Sequence, residues 1–202
     1  SAPSLMDGFN RRFSPYAVKM KTMLDAVREP KCLVALINAG SIPASHWTQH
    51  AGQGGGRIVG EACHFIDFLR FLVGAPIASL DVVSIGKPAS DGVAADKSTI
   101  TLTFEDGSIG SVHYFANGPK ALVKERFEAF AGERHLSLTN FKKLEGTGWR
   151  DFSRMAGKQD KGHKAALQAF ISAIQSGRAS PIPLEETLEV SRWSVRAAGK
   201  AG

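Results

Sequence analysis

His64 is the side chain in this sequence best suited to moving a proton near neutral pH, because an unperturbed imidazole titrates at about 6.5. It stands in the stretch Gly54-Gly55-Gly56-Arg57-Ile58-Val59-Gly60-Glu61-Ala62-Cys63-His64-Phe65-Ile66-Asp67, where a glycine run feeds into an amphipathic segment. At helical spacing, Gly60 and Glu61 lie one turn before the imidazole and Asp67 one turn after it. A glycine inside a helix costs about 1 kcal/mol relative to alanine, and a bare patch beside a histidine lets a ligand approach the backbone closely. Glu61 either lines a site or pairs with Arg57 at i, i+4. Asp67 either orients the imidazole or pairs with Arg70. Arg57, at a helix N-terminus behind three glycines, suits an anion or is a solvated surface charge.

The element that positions these groups is a helix over residues 58–73. Ile58, Ala62, Phe65, Ile66, Leu69, Leu72 and Val73 fall on one stripe, and Gly74 serves as its C-cap. His64, Phe68 and Phe71 lie off that stripe. Upstream, Lys31 to Asn38 is an apolar run of strand length ending in an amide, and Asn38 is either a contact for a sugar hydroxyl or a turn residue. A long loop from Gly40 to Gly56 carries His46, Trp47, Gln49 and His50. Trp47 either stacks on a ligand face or anchors the loop. Long loops in compact domains tend to be functional.

Ser14-Pro15 opens a helix running to Arg28, with Val18, Leu24 and Val27 on its inner side. After the central helix the chain turns to strand chemistry: Ile77 to Ile85, Ser98 to Phe104, Ile109 to Phe115, Val123 to Ala131, Glu133 to Thr139 and Phe141 to Glu145. Residues 146–160 read as an exposed loop. A helix from Lys161 to Gln175 places Leu167, Phe170, Ile171 and Ile174 inward, and a last helix spans Leu184 to Ala198. This series gives an α+β architecture, an antiparallel or mixed sheet with helices on one face.

The chain has 202 residues, 43% hydrophobic and 22% charged, and carries a formal net charge of +6. Its basic residues are scattered, the most basic region (Arg150, Arg154, Lys158, Lys161, Lys164) has few aromatics interleaved, and no nucleic-acid-binding motif accompanies the charge, so nucleic acid is not an expected partner. No apolar run reaches the ~20 residues of a membrane span. Ser1 to Ser4 read as leader residues. Cys32 and Cys63 give no disulfide framework, and both read as buried thiols in a cytoplasmic protein. No metal site is expected, since neither cysteine has a ligand-spaced partner. The glycine run is not a dinucleotide fingerprint: Arg57 stands where a third glycine belongs, and no strand immediately precedes it.

Taken in order, the glycine-rich stretch with His64 and Asp67, Gly8-Phe9-Asn10-Arg11-Arg12-Phe13-Ser14-Pro15, Asn38-Ala39-Gly40, Pro43 with His46-Trp47, Phe104-Glu105-Asp106-Gly107-Ser108, Gln159-Asp160-Lys161-Gly162-His163 and Pro181-Ile182-Pro183-Leu184-Glu185-Glu186 resemble the C-terminal half of the Gfo/Idh/MocA oxidoreductases. The resemblance covers nearly the whole chain and is nearest to the branch fused behind a zinc-dependent alcohol-dehydrogenase-like half. It implies a substrate and oligomerisation domain of the dihydrodipicolinate-reductase-like or glyceraldehyde-3-phosphate-dehydrogenase-like C-terminal type over residues 14–202. Residues 1–13 would be the remnant of a junction with a missing Rossmann domain, with Leu5 to Asn10 as that domain's last strand. It further implies NAD or NADP, bound mainly by the missing domain, and a sugar, polyol or nucleotide-sugar substrate. His64 would take the hydroxyl proton as hydride leaves the same carbon. Asn38, Trp47, Arg57, Gly60, Glu61, Asp67 and Arg11 would line the substrate site. A homo-oligomer would form through the open sheet face, and the isolated domain would be inactive. Most members carry an aspartate where Gly60 stands. That departure favours the alternative, a non-catalytic binding or oligomerisation module.

Overall fold

The structure, a computed structural model, describes residues 5–43, 45–49, 55–85 and 96–201. Ser1 to Ser4, His50 and Gly54 therefore lie outside the described residues. Among the described residues eight strands form one sheet: β1 Cys32–Asn38, β2 Ile77–Ser84, β3 Lys97–Phe104, β4 Ile109–Phe115, β5 Glu125–Ala131, β6 Arg134–Thr139, β7 Lys143–Thr147 and β8 Arg154–Ala156. Their order is β2-β3-β4-β1-β5-β6-β7-β8. β1 runs parallel to β4 and antiparallel to β5, and the other pairings are antiparallel. The expected mixed α+β sheet is thus what the chain forms. β8 falls inside the stretch read as loop, because three residues are too few to display an alternating pattern.

Among the described residues four helices accompany the sheet: α1 Pro15–Asp25, α2 Cys63–Val73, α3 His163–Gln175 and α4 Leu184–Ala201. A 3₁₀ turn, Asn10–Phe13, precedes α1, and a π turn, Ile58–Ala62, runs directly into α2. α1 lies against β6 and β7, α2 against β1 and β4, and α4 against β2. Alternate strand positions point into this layer, so that Leu33, Ala35, Ile37, Ile100, Leu102, Val112, Tyr114, Phe127, Leu136 and Leu138 are buried.

The apolar stripe from Ile58 to Val73 is buried throughout, and Gly74 ends the helix at φ 83°. Phe68, expected on the outer side, is buried as well. Its ring packs edge-on against Phe127 at 4.6 Å and Phe141 at 5.4 Å. α3 differs from expectation in the opposite sense: Leu167, Ile171 and Ile174 are exposed. Its main neighbour is the 3₁₀ turn, reached through its N-terminal end. Gly162 sits there at φ +83°, where a Cβ would lie 2.4 Å from the Asn10 carbonyl oxygen and 2.5 Å from the Ser14 nitrogen.

Three smaller expectations also change. Residues 5–9 pair with no strand, since Asp7 turns to accept a hydrogen bond from the Gly8 N–H at 2.6 Å. Val18 is exposed on the outer side of α1. Cys32 is exposed on the open sheet face, while Cys63 is partly buried and burial pushes its thiol up to about 12. That open face is mixed in character. Half-buried Val34 and Leu36 and exposed Ile109 and Phe130 stand among Thr99, Ser111, His113 and Glu128. Among the described residues no helix is long and apolar enough to cross a membrane.

Candidate functional site

β1 ends in Asn38, and the chain leaves the sheet beside the start of β5, where the Asn38 N–H donates to the Lys124 carbonyl at 2.8 Å. The Asn38 side chain faces the connection between β4 and β5. Its amide nitrogen donates to the carbonyls of Pro119 at 2.8 Å and Leu122 at 3.2 Å, while its oxygen is buried without a partner. Asn38 therefore fastens a loop, and its oxygen is shut in against Gly118. An unpaired buried acceptor of this kind carries the cost of its lost hydration.

The π turn puts one extra residue into the helix opposite this strand end, a local widening common at functional sites. Glu61 leaves the helix there and accepts hydrogen bonds from Tyr114 Oη at 2.5 Å, Lys124 Nζ at 2.8 Å and Arg57 Nη2 at 2.9 Å. Burial works against its charge. The hydrogen bonds from Lys124, Tyr114 and Arg57 outweigh that and hold the carboxyl at about 2. Burial and the neighbouring carboxylate push the Tyr114 hydroxyl upward, so it remains a donor. Arg57 is buried, with Nη1 on the Gly40 carbonyl at 2.6 Å and Nη2 on the Ala39 carbonyl at 3.3 Å, and its guanidinium lies 5.2 Å from the Tyr114 ring. Its donors are spent inside the protein, tying the loop after β1 to the helix, which departs from the expected anion site. Gly60 is exposed in the same π turn.

His64 follows one turn on. The residue is half-buried, its ring meets Phe9 edge-on at 5.7 Å, and its Nδ1 is sealed in without a hydrogen-bond partner. Nε2 is thus the nitrogen left to meet a ligand. Burial, helped by the nearby positive charge of Arg11, pulls the imidazole down to about 4. At neutral pH it is an uncharged base.

Three of the expected site residues, Asp67, Arg11 and Trp47, go elsewhere. Asp67 is fully buried and takes hydrogen bonds from Arg12, Nη2 at 2.6 Å and Nε at 3.0 Å; it partners neither His64 nor Arg70. Burial pushes its carboxyl up to about 6, so the pair is charged at neutral pH. Arg12 also reaches Glu186 of α4 at 2.5 Å, which joins three elements in one buried ion-pair chain. Arg11 forks onto Glu125 at 2.9 and 3.0 Å, lies 4.8 Å from the Phe65 ring, and shares Glu125 with Lys161. Both arginines are structural ties, and the charge of Arg11 is felt by His64. Trp47 is exposed and stacked on His46, outside this cluster, and buried Gln49 beside it reaches Asp96 at 3.5 Å.

The structure therefore brings together Asn38, Arg57, Glu61, Tyr114 and Lys124, with His64 flanking them. Tyr114 and Lys124 were not read from the sequence. A signal existed for Tyr114, since an inward-facing tyrosine at a strand end needs a partner for its hydroxyl. None existed for Lys124. Among the described residues no group of three or more His, Cys, Asp or Glu is placed to hold a metal ion.

A sequence profile of the GFO/IDH/MocA C-terminal domain matches residues 32–134. No relative among curated proteins matches. Solved structures share the fold. An oxidoreductase domain protein from Kribbella flavida is 16% identical with a TM-score of 0.79, covering 96% of this chain and 63% of its own. UDP-N-acetylglucosamine 3-dehydrogenase GnnA from Acidithiobacillus ferrooxidans is 19% identical with a TM-score of 0.74, covering 98% and 61%. Levoglucosan dehydrogenase in complex with NADH is 18% identical with a TM-score of 0.78, covering 98% and 64%. The chain spans about three fifths of the length of such structures.

Proposed function

Because the chain belongs to the GFO/IDH/MocA C-terminal domain family, we propose that it is the substrate-binding half of an oxidoreductase that moves hydride between a sugar, polyol or nucleotide-sugar hydroxyl and NAD or NADP. The observation that carries this reading is His64, an imidazole within the matched segment that is half-buried and stays neutral at physiological pH. The described residues offer groups that meet hydroxyls: the Lys124 ammonium as a donor and the His64 imidazole as an acceptor. They fit a polyhydroxylated substrate. The nicotinamide ring supplies the hydride acceptor when bound by its own domain. His64 Nε2 takes the hydroxyl proton in oxidation and returns it in reduction, and its low pKa keeps the lone pair free for that step. Glu61, pinned by three donors, does not stand in for the aspartate that most members carry at the position of Gly60; it holds Lys124 and Tyr114 in place. Levoglucosan dehydrogenase and UDP-N-acetylglucosamine 3-dehydrogenase, which share the fold, support a sugar-type substrate.

On this reading the chain alone lacks a cofactor site, and the exposed row Leu167, Ile171 and Ile174 on α3 is a surface that a nucleotide-binding domain covers. Subunits pair through the open sheet face. One observation favours a second reading as a non-catalytic module: Gly60 leaves the site without the usual carboxylate. Kinetics on the enzyme that joins this chain to a nucleotide-binding domain separate the two. His64→Ala lowers kcat/KM for sugar oxidation by ~10²–10⁴-fold with little change in melting temperature, and wild-type oxidation falls as pH drops through about 4, where His64 protonates. Unchanged turnover in His64→Ala overturns the catalytic role.

A further inference from the structure

At the opposite end of β1 from Asn38, an open cleft of about 670 Å³ lies between α1 and the connection from β7 to β8. The seven residues of β1 set the two sites roughly 20 Å apart, at the usual rise per strand residue. α1 and its C-cap contribute Lys19, Thr22, Met23 and Ala26, spaced i, i+3, i+4, i+7 and so on one helix face. The other wall is Trp149 and Phe152, with Arg134 and Arg150 beside them.

The aromatic wall is built in. Trp149 Nε1 donates to the His135 carbonyl at 3.0 Å, and the Gly146 N–H donates to the Ser153 carbonyl at 2.8 Å. Both rings rest on bare backbone: a Cβ on Gly146 would lie 2.8 Å from Phe152 Cδ1 and 3.0 Å from Trp149 Cδ1. Each ring carries a cation. The Arg134 guanidinium lies 5.1 Å from the Trp149 ring, and Lys19 Nζ lies 5.4 Å from the Phe152 ring.

These cations are uncommitted. Arg11, Arg12, Arg57 and Arg70 each hold a carboxylate. Among the described residues, Lys19, Arg134 and Arg150 have none within 4.0 Å. Three positive side chains thus converge on a concave surface whose lining holds one acid, Asp151. They come from three separate elements. A tetrahedral oxyanion accepts donors from several directions, whereas a planar carboxylate favours a single fork. Met23, Ala26 and the aromatic edges leave an apolar side for the remainder of a ligand, and the volume falls in the range of small-molecule sites.

We propose that this cleft binds a nucleotide-sized organic phosphate, with Lys19, Arg134 and Arg150 on the phosphate and Met23, Trp149 and Phe152 against its organic part. Calorimetric titration of the chain with AMP, adenosine and inorganic phosphate tests it. AMP binds with a Kd below ~1 mM that weakens as salt rises, and adenosine and inorganic phosphate bind at least ~10-fold more weakly, because charge and apolar contact act together. Lys19→Ala with Arg134→Ala, and separately Arg150→Glu, each weaken AMP by ~10-fold or more. Both leave the melting temperature intact, since these residues are exposed. Lys124→Ala, at the far end of β1, leaves AMP binding unchanged. Absence of binding at 10-fold higher AMP (~10 mM), unaltered affinity in the cleft variants, or loss of binding in Lys124→Ala each overturns the proposal.

Discussion

α2 and α3 carry the same kind of apolar row, and the fold treats them in opposite ways. α2 is covered along its whole length by β1, β4 and α4, to the point that Phe68, Asp67 and Arg70 on its outer side are also buried. α3 buries Ala166 and Ala173 and leaves Leu167, Ile171 and Ile174 in solvent. α2 is held by its flank and α3 by its end, where Gly162 meets the backbone of Asn10 and Ser14. A helical apolar stripe therefore shows which face seeks cover. It does not show whether the cover belongs to the same domain.

That contrast can be broken or sharpened by substitution. The largest effect is expected on the covered helix: Phe68→Ala removes a ring packed on Phe127 and Phe141 and should lower stability by about 3–5 kcal/mol in urea unfolding. A loss under about 1 kcal/mol would mean that α2 is less tightly enclosed than its burial implies. Next comes the anchor of α3. Gly162→Ala meets both a positive φ and close backbone contacts, so a loss of about 2–4 kcal/mol is expected in the same measurement. If it is instead neutral, α3 is not held by its N-terminal end. The smallest effect belongs to the exposed row: Ile171→Gln should stay within about 0.5 kcal/mol of the parent chain. A large loss there would show that the α3 face is packed after all, and the comparison would collapse.

The sheet was legible because its strands alternate cleanly, as in Ile109 to Phe115, and because turns such as Glu105 to Ser108 mark their ends. His64 and Glu61 were legible because a glycine run and a helical period place them together within one short segment. What escaped was long-range. Arg11 finds Glu125 114 residues away and Arg12 finds Asp67 55 residues away, and no local pattern encodes a buried ion pair. Lys124 joins Glu61 only because β5 happens to begin beside the end of β1. Leu167, Ile171 and Ile174 were misplaced for a different reason: their period is helical and correct, but a period does not say whether this chain supplies the cover.

The position of β1 has a consequence for how the chain acquires its shape. β2, β3 and β4 form one meander of neighbouring strands, and β5 to β8 form another. Within each, strands that follow one another in sequence pair directly, which costs less closure entropy than joining distant segments. β1 alone joins them, with Cys32 facing Ile109 on one side and Phe130 on the other, both far along the chain. Until that strand is inserted, β4 and β5 each present an open edge, the kind of surface that recruits strands from other molecules. Closing the sheet is thus a non-local event of the sort that slows folding, because the strand that unites the two meanders precedes both of them in sequence.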